Sequence, residues 1–142
     1  MSNLVLEIRP GDMMIVNGAA MRFRCRTRVE LTAHARFLFG RQIMAPDDAD
    51  SPARRIYYAL QTAYIGDEDE RAAGLADART LAAQFKQATT SAMAVNLLDQ
   101  ALACAQADQC YLALRLARRV VQHEDAVLGR KRARDAPGLR EQ

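Results

Sequence analysis

Apolar and polar residues alternate along the first forty-five positions, and near position 50 the pattern changes to a helical period. Leu4, Leu6 and Ile8 alternate with Val5, Glu7 and Arg9, the period-two signature of a half-buried strand. Pro10-Gly11-Asp12 is turn chemistry, because proline presets its own φ and glycine accepts positive φ. A short apolar run from Met13 to Val16 then meets Asn17-Gly18, the strongest short-range hairpin signal. The following strand is expected to run unbroken from Ala19 to Val29. On it Met21, Phe23, Cys25, Thr27 and Val29 point one way, and Arg22, Arg24, Arg26 and Arg28 the other. Glu30-Leu31-Thr32 and Phe37-Leu38-Phe39 predict one or two further short strands before Pro46.

The change of period falls in the stretch Asp47 to Tyr64. Ser51 followed by Pro52 is a helix start: the hydroxyl can accept orphan backbone N–H groups, and proline at the first helical position gives up a donor that had no partner. Asp47, Asp48 and Asp50 precede it, where the positive end of the helix dipole favours acids. At 100° per residue, Ile56, Ala59, Leu60 and Ala63 form an apolar stripe edged by Tyr57 and Tyr64, with Arg54, Arg55, Tyr58, Gln61 and Thr62 opposite. Gly66 ends this helix. A second opens with the acids Asp67 to Glu70 and continues through Leu75, Ala78, Leu81 and Phe85. A third, capped near Ser91, carries Val95, Leu98 and Leu102. After Ala107-Asp108 a fourth is expected to turn Leu114, Ala117, Val121 and Leu128 inward and Arg115, Arg118, Arg119 and Gln122 outward. The expected fold is therefore α+β: an antiparallel β lobe over 1–46, a bundle of about four α-helices over 47–128, and a disordered basic tail over 129–142.

Charge adds an asymmetry. Residues 1–46 carry seven arginines against three acids, 47–89 five basic residues against eight acidic, and 90–142 eight basic against six acidic. Nearly all of the positive charge is arginine, whose planar fork can grip phosphate bidentately. The four arginines of the Ala19–Val29 strand would span roughly 20 Å at about 3.3 Å per residue, enough for several nucleotides of single-stranded backbone. The plain alternative is the solvated side of a sheet. Such a face usually mixes signs, and here no acid interrupts the row. Interleaved aromatics are absent, so a stacking platform is not expected.

Other chemistry is missing. Cys25, Cys104 and Cys110 contain no C-x-x-C pair, and His34 and His123 stand alone. No dinucleotide, phosphate-loop, zinc-protease or serine-hydrolase motif occurs. The acids around Asp48 lack the glycine and distal glutamate of a calcium loop. The expectation is a protein that is not an enzyme and takes neither cofactor nor metal. With no signal-peptide pattern and no long apolar run, no membrane partner is expected, and the cytoplasm is the expected location.

Several phrases, in order, resemble one family: Leu4-x-Leu6, Arg9-Pro10-Gly11-Asp12, Met14-Ile15-Val16-Asn17-Gly18-Ala19, Ile43-Met44, Ala49-Asp50-Ser51-Pro52-Ala53-Arg54-Arg55-Ile56-Tyr57 with Gln61 and Tyr64, and the helix from Tyr111 to Glu124. They resemble the FlbT family of flagellar biosynthesis repressors over about residues 3–128. One departure is Leu38-Phe39-Gly40, where the family pattern has leucine, arginine and an acid. The resemblance implies a post-transcriptional regulator that associates with the 5′ untranslated leader of flagellin messenger RNA and promotes its decay or blocks its translation. It also implies a FlaF-like protein as a partner. It brings no RNA-contact residues, so the candidate set is Arg22, Arg24, Arg26 and Arg28, extended by Arg54 and Arg55. The alternative is a protein-interaction module whose alanine-rich helices complete themselves against flagellin, a FlaF-like partner or a second copy as a homo-oligomer, with only indirect effects on messenger RNA.

Overall fold

Five short strands are followed by four helices in the computed structural model, which describes residues 4–32 and 35–129. The fold is α+β. Two units are distinguished, Met1–Ile43 and Met44–Gln142. The expected basic tail, apart from Gly129, and His34 lie outside the described residues.

In the β unit, β1 (Leu4–Ile8) pairs antiparallel with β4 (Thr27–Leu31), and β2 (Met13–Val16) pairs antiparallel with both β3 (Ala19–Arg22) and β5 (Phe37–Phe39). Asn17 and Gly18 both have positive φ, 49° and 87°, which is the type I′ turn that their sequence spells. Asn17 also clasps Arg36: its backbone N–H donates to the Arg36 carbonyl at 2.7 Å, and its side-chain oxygen accepts from the Arg36 N–H at 3.1 Å.

The strand expected from Ala19 to Val29 is broken. It divides into β3 and β4, which belong to different sheets. Both ladders nonetheless keep one register, since Ile8 faces Thr27 and Met13 faces Arg22. The ribbon is thus a single long hairpin, interrupted where 9–12 runs past 23–26. Arg9 to Asp12 form the cause: the Asp12 N–H donates to the Arg9 carbonyl at 3.1 Å, with proline and then a glycine at φ +90° in the middle of the turn. That turn consumes the pairing groups of one arm. The other arm is held only where the Gly11 N–H donates to the Phe23 carbonyl and the Phe23 N–H to the Asp12 carbonyl. Two consecutive residues opposing one is the geometry of a bulge, and it ends the strict alternation of side chains.

In the helical unit, α1 (Pro52–Ile65) lies between α2 (Glu68–Ala88) and α4 (Cys110–Leu128), and α3 (Ala92–Gln106) packs on α4 and α2. The caps are those the sequence spells. Ser51 accepts from the Arg54 N–H, Asp67 and Glu70 form a reciprocal capping box, and Ser91 accepts from the Ala94 N–H. Burial differs from the expected faces at several positions, among them Arg118, expected outward but half-buried. On α2 the deepest positions are Gly74, Ala78 and Ala82, with Leu75, Leu81 and Phe85 half-buried beside them. A Cβ on Gly74 would meet the Ala59 carbonyl oxygen and the Ala63 nitrogen at 2.8 Å, so α2 approaches α1 backbone to backbone. Leu128, expected inside, is 60% exposed. Arg54 and Gln61, expected on the solvent side of α1, are buried, because α1 is covered on nearly every side. Gln61 is satisfied there by Met44, its amide accepting from the Met44 N–H at 2.8 Å and donating to the Met44 carbonyl at 3.0 Å.

Candidate nucleic-acid interface

The interruption of the β ribbon decides what the arginine row can do. With β3 and β4 in separate sheets, Arg22, Arg24, Arg26 and Arg28 do not form one uniform strand face. All four are exposed, in three different settings. Arg22 ends β3 opposite Met13, and its guanidinium donates to the Gly11 carbonyl at 3.5 Å. Arg28 sits on β4 directly opposite Glu7, and the two side chains pair at 2.8 Å while each remains 70% exposed. Arg24 and Arg26 lie in the segment between the strands, and neither has a hydrogen bond or ion pair among the described residues.

A fifth arginine joins them. Arg9 follows the Ile8–Thr27 pair on one arm of the ribbon, just as Arg26 precedes it on the other. It too is exposed, and its guanidinium is unpaired among the described residues. The nearby carboxylate of Asp12 accepts instead from the Arg9 backbone N–H at 2.9 Å, closing the turn. Like charges placed opposite each other across a ribbon repel, and an anion between them relieves that repulsion. The signal for Arg9 was present in the turn phrase Arg-Pro-Gly-Asp, but it becomes visible only with the register.

Arg54 and Arg55 take separate paths. Arg55 is exposed on α1. Arg54 is 7% exposed and its fork is filled: Nη1 donates to Asp125 Oδ1 at 2.6 Å and Nη2 to Asp125 Oδ2 at 2.9 Å, with Glu124 Oε1 at 3.8 Å. That bidentate bond to Asp125 raises the Arg54 pKa further above its ordinary value, against the opposing effect of burial. Glu124 in turn accepts from the Ser51 hydroxyl at 2.5 Å and from the Ala53 N–H at 3.0 Å. The acid serving the start of α1 therefore comes from α4. Asp47 and Asp48, to which the sequence pattern assigned that task, sit instead in a separate short 3-10 turn, Pro46–Asp48. Arg54 belongs to this interior knot, and a phosphate cannot reach its fork without dismantling it.

Nearby, Arg118 lies over the Tyr57 ring at 5.3 Å from its centre and donates to the Tyr57 hydroxyl at 3.2 Å. Burial pushes the Tyr57 phenol up, and Arg118 offsets part of that rise. Of the cysteines, Cys110 is buried, Cys104 partly so and Cys25 exposed. No group of three or more His, Cys, Asp or Glu side chains converges on a metal position among the described residues, and no helix there is long and apolar enough to cross a membrane.

The family described as "Flagellar protein FlbT" matches residues 4–128. A protein of Caulobacter sp. (strain K31) named "Probable flagellum biosynthesis repressor protein FlbT" is 32% identical over 134 residues, covering 89% of this chain and 96% of its own length. Proteins of the same name from Brucella ovis and Brucella canis are each 31% identical over 80 residues, covering 56% of this chain and 53% of theirs. No solved structure matches.

Proposed function

The chain belongs to the FlbT family of flagellar proteins, and on that premise we propose that it regulates flagellum biogenesis by binding the 5′ untranslated leader of flagellin messenger RNA. Binding promotes decay of the message or blocks its translation, without catalysis by this chain. The repressor names of its relatives support the regulatory half of this reading. The RNA half is carried by one observation: Arg24 and Arg26 stand exposed in the ribbon interruption, their side chains, like that of Arg9 beside them, unpaired among the described residues. Arg22 adds charge next to them and Arg28 less, since Glu7 already holds it. Arg55 is a separate exposed cation on the helical unit.

Salt-titrated binding to the flagellin leader tests the assignment. Each lost phosphate contact lowers the log–log salt slope by about 0.7 on single strands, so R24Q/R26Q is expected to flatten it by about 1.4. An unchanged slope and affinity in R9Q/R22Q/R24Q/R26Q would overturn it.

A second reading, in which the protein binds flagellin or a FlaF-like partner, has one feature in its favour. Tyr111 and Leu112 at the start of α4 are 41% and 43% exposed. Met93, Val127 and Leu128 add exposed apolar side chains at other places on the helical unit, while the buried stripes are spent on packing α1 to α4 together.

A further inference from the structure

The outer edge of β4 is an open template. The sheet it forms with β1 has two strands, and no third strand lies beside β4 among the described residues. Proteins blunt such an edge with charged side chains, lysine above all, with proline, a bulge or a short strand. The five-residue sequence Thr27-Arg28-Val29-Glu30-Leu31 has no lysine or proline, and its two charges are of opposite sign, which a facing copy can match.

We infer that β4 pairs antiparallel with β4 of a second copy of this chain, about a two-fold axis at Val29. The argument is charge complementarity in that register. A two-fold axis at Val29 sets Arg28 opposite Glu30 of the second copy and Glu30 opposite its Arg28. Val29 meets its own copy, and Thr27 meets Leu31. Because directly opposite residues share a face, the result continues the pairing already present in the two-stranded sheet. On one face Arg28 stands between its own Glu7 and the second copy's Glu30. A carboxylate accepts several donors, so Glu30 keeps any bond it already makes. On the other face the row reads Leu6, Val29, Val29, Leu6, and the half-buried Leu31 and Val29 gain cover. The opposite edge fails the same test: an axis at Leu6 of β1 sets Val5 against Glu7, with no opposite charges to match.

Such a pairing forms an isologous dimer with a continuous four-stranded sheet, β1-β4-β4-β1. The two arginine-bearing bends then fall at opposite ends of the shared strands, their Arg26 positions roughly 20 Å apart at about 3.4 Å per residue. This inference stands whether or not those bends bind RNA.

Sedimentation equilibrium of the full chain tests it. The wild type is expected to dimerise. R28E and E30R each place like charges opposite one another twice per dimer, and each alone is expected to weaken dimerisation about tenfold or more. An equimolar mixture of R28E and E30R restores both matches across the axis while R28E keeps a carboxylate against its own Glu7, and it is expected to form a heterodimer more strongly than either variant self-associates. Independently of those variants, V29C in a C25S/C104S background is expected to give a disulfide-linked dimer under mild oxidation, since facing strand positions lie within disulfide reach. L31C in the same background is expected to give little. A wild-type monomer at all concentrations, single variants that dimerise like the wild type, a mixture that stays monomeric, or equal cross-linking at the two cysteine positions would each overturn the proposal.

Discussion

Arg24 in the β unit and Arg54 in the helical unit carry the same side chain into opposite surroundings. Around Arg24 the protein has little interior to offer: Ile8, Met14 and Leu38 are the buried large side chains of the described β unit. Around Arg54 a layer of α1 and α4 side chains is deep enough to exclude water, and every buried polar side chain described, from Ser51 to Asp125, lies in this helical unit. An ionised group can be buried only where partners hold its charge, and for Arg54 these are Asp125, through two hydrogen bonds, and the Glu124 carboxylate at 3.8 Å. The difference teaches that arginine content alone does not report a binding surface. What reports it is the thickness of the core beneath each arginine.

The comparison can be broken most forcefully at the knot. D125A leaves a buried guanidinium without its bidentate partner and is expected to destabilise the protein by about 3–5 kcal/mol in urea unfolding. R54M/D125L removes the bidentate pair but leaves the buried Glu124 carboxylate without its cation, so it is expected to recover only part of that loss. Gly74→Val comes next: with backbone atoms 2.8 Å from the new Cβ, α2 must back away from α1, and a cost of about 1–3 kcal/mol is expected. Tyr57 gives a smaller, pH-dependent effect. Its pKa is raised in the folded state by burial, so its contribution is complete below the ordinary tyrosine pKa of about 10 and is lost as pH rises through the folded value. Between about pH 9 and pH 11 the wild type is therefore expected to lose more stability than Y57F, measured by parallel denaturant titrations. Smallest of all on this scale is R24Q/R26Q, expected to change stability by less than about 0.5 kcal/mol. A large loss there would mean that the bend is structural and would sink its assignment as a binding surface.

Local chemistry was legible in the sequence wherever neighbours in the chain decide the outcome. Ser51-Pro52, the acids Asp67 to Glu70 and Asn17-Gly18 act within a few residues and open the helices and the hairpin expected of them, the reciprocal Asp67–Glu70 box being the structure's addition. The break at 23–26 was hidden, because alternation continues through it and no glycine or proline marks it. Its cause lies across the ribbon, in Pro10-Gly11. Arg54 was misplaced for the same reason at longer range, since helical periodicity counts polar residues outward and cannot see a carboxylate on another helix. On α2, the pattern favoured large apolar residues, whereas close approach selected Gly74, Ala78 and Ala82. Of the candidate interface, the arginines of the bend were legible individually. Their separation into free and engaged cations was not.

The carboxylate of Glu124 stands 71 residues downstream of the backbone N–H of Ala53 that it satisfies. During synthesis at roughly 5–20 residues per second, about 4–14 s pass between the two. Throughout that interval Ser51 alone caps the first turn of α1, and the Ala53 N–H and the Arg54 fork lack their carboxylates. The nascent α1 therefore waits for α4. A chain cut short before Glu124 leaves the Ala53 N–H without its carboxylate acceptor and Arg54 without its bidentate partner.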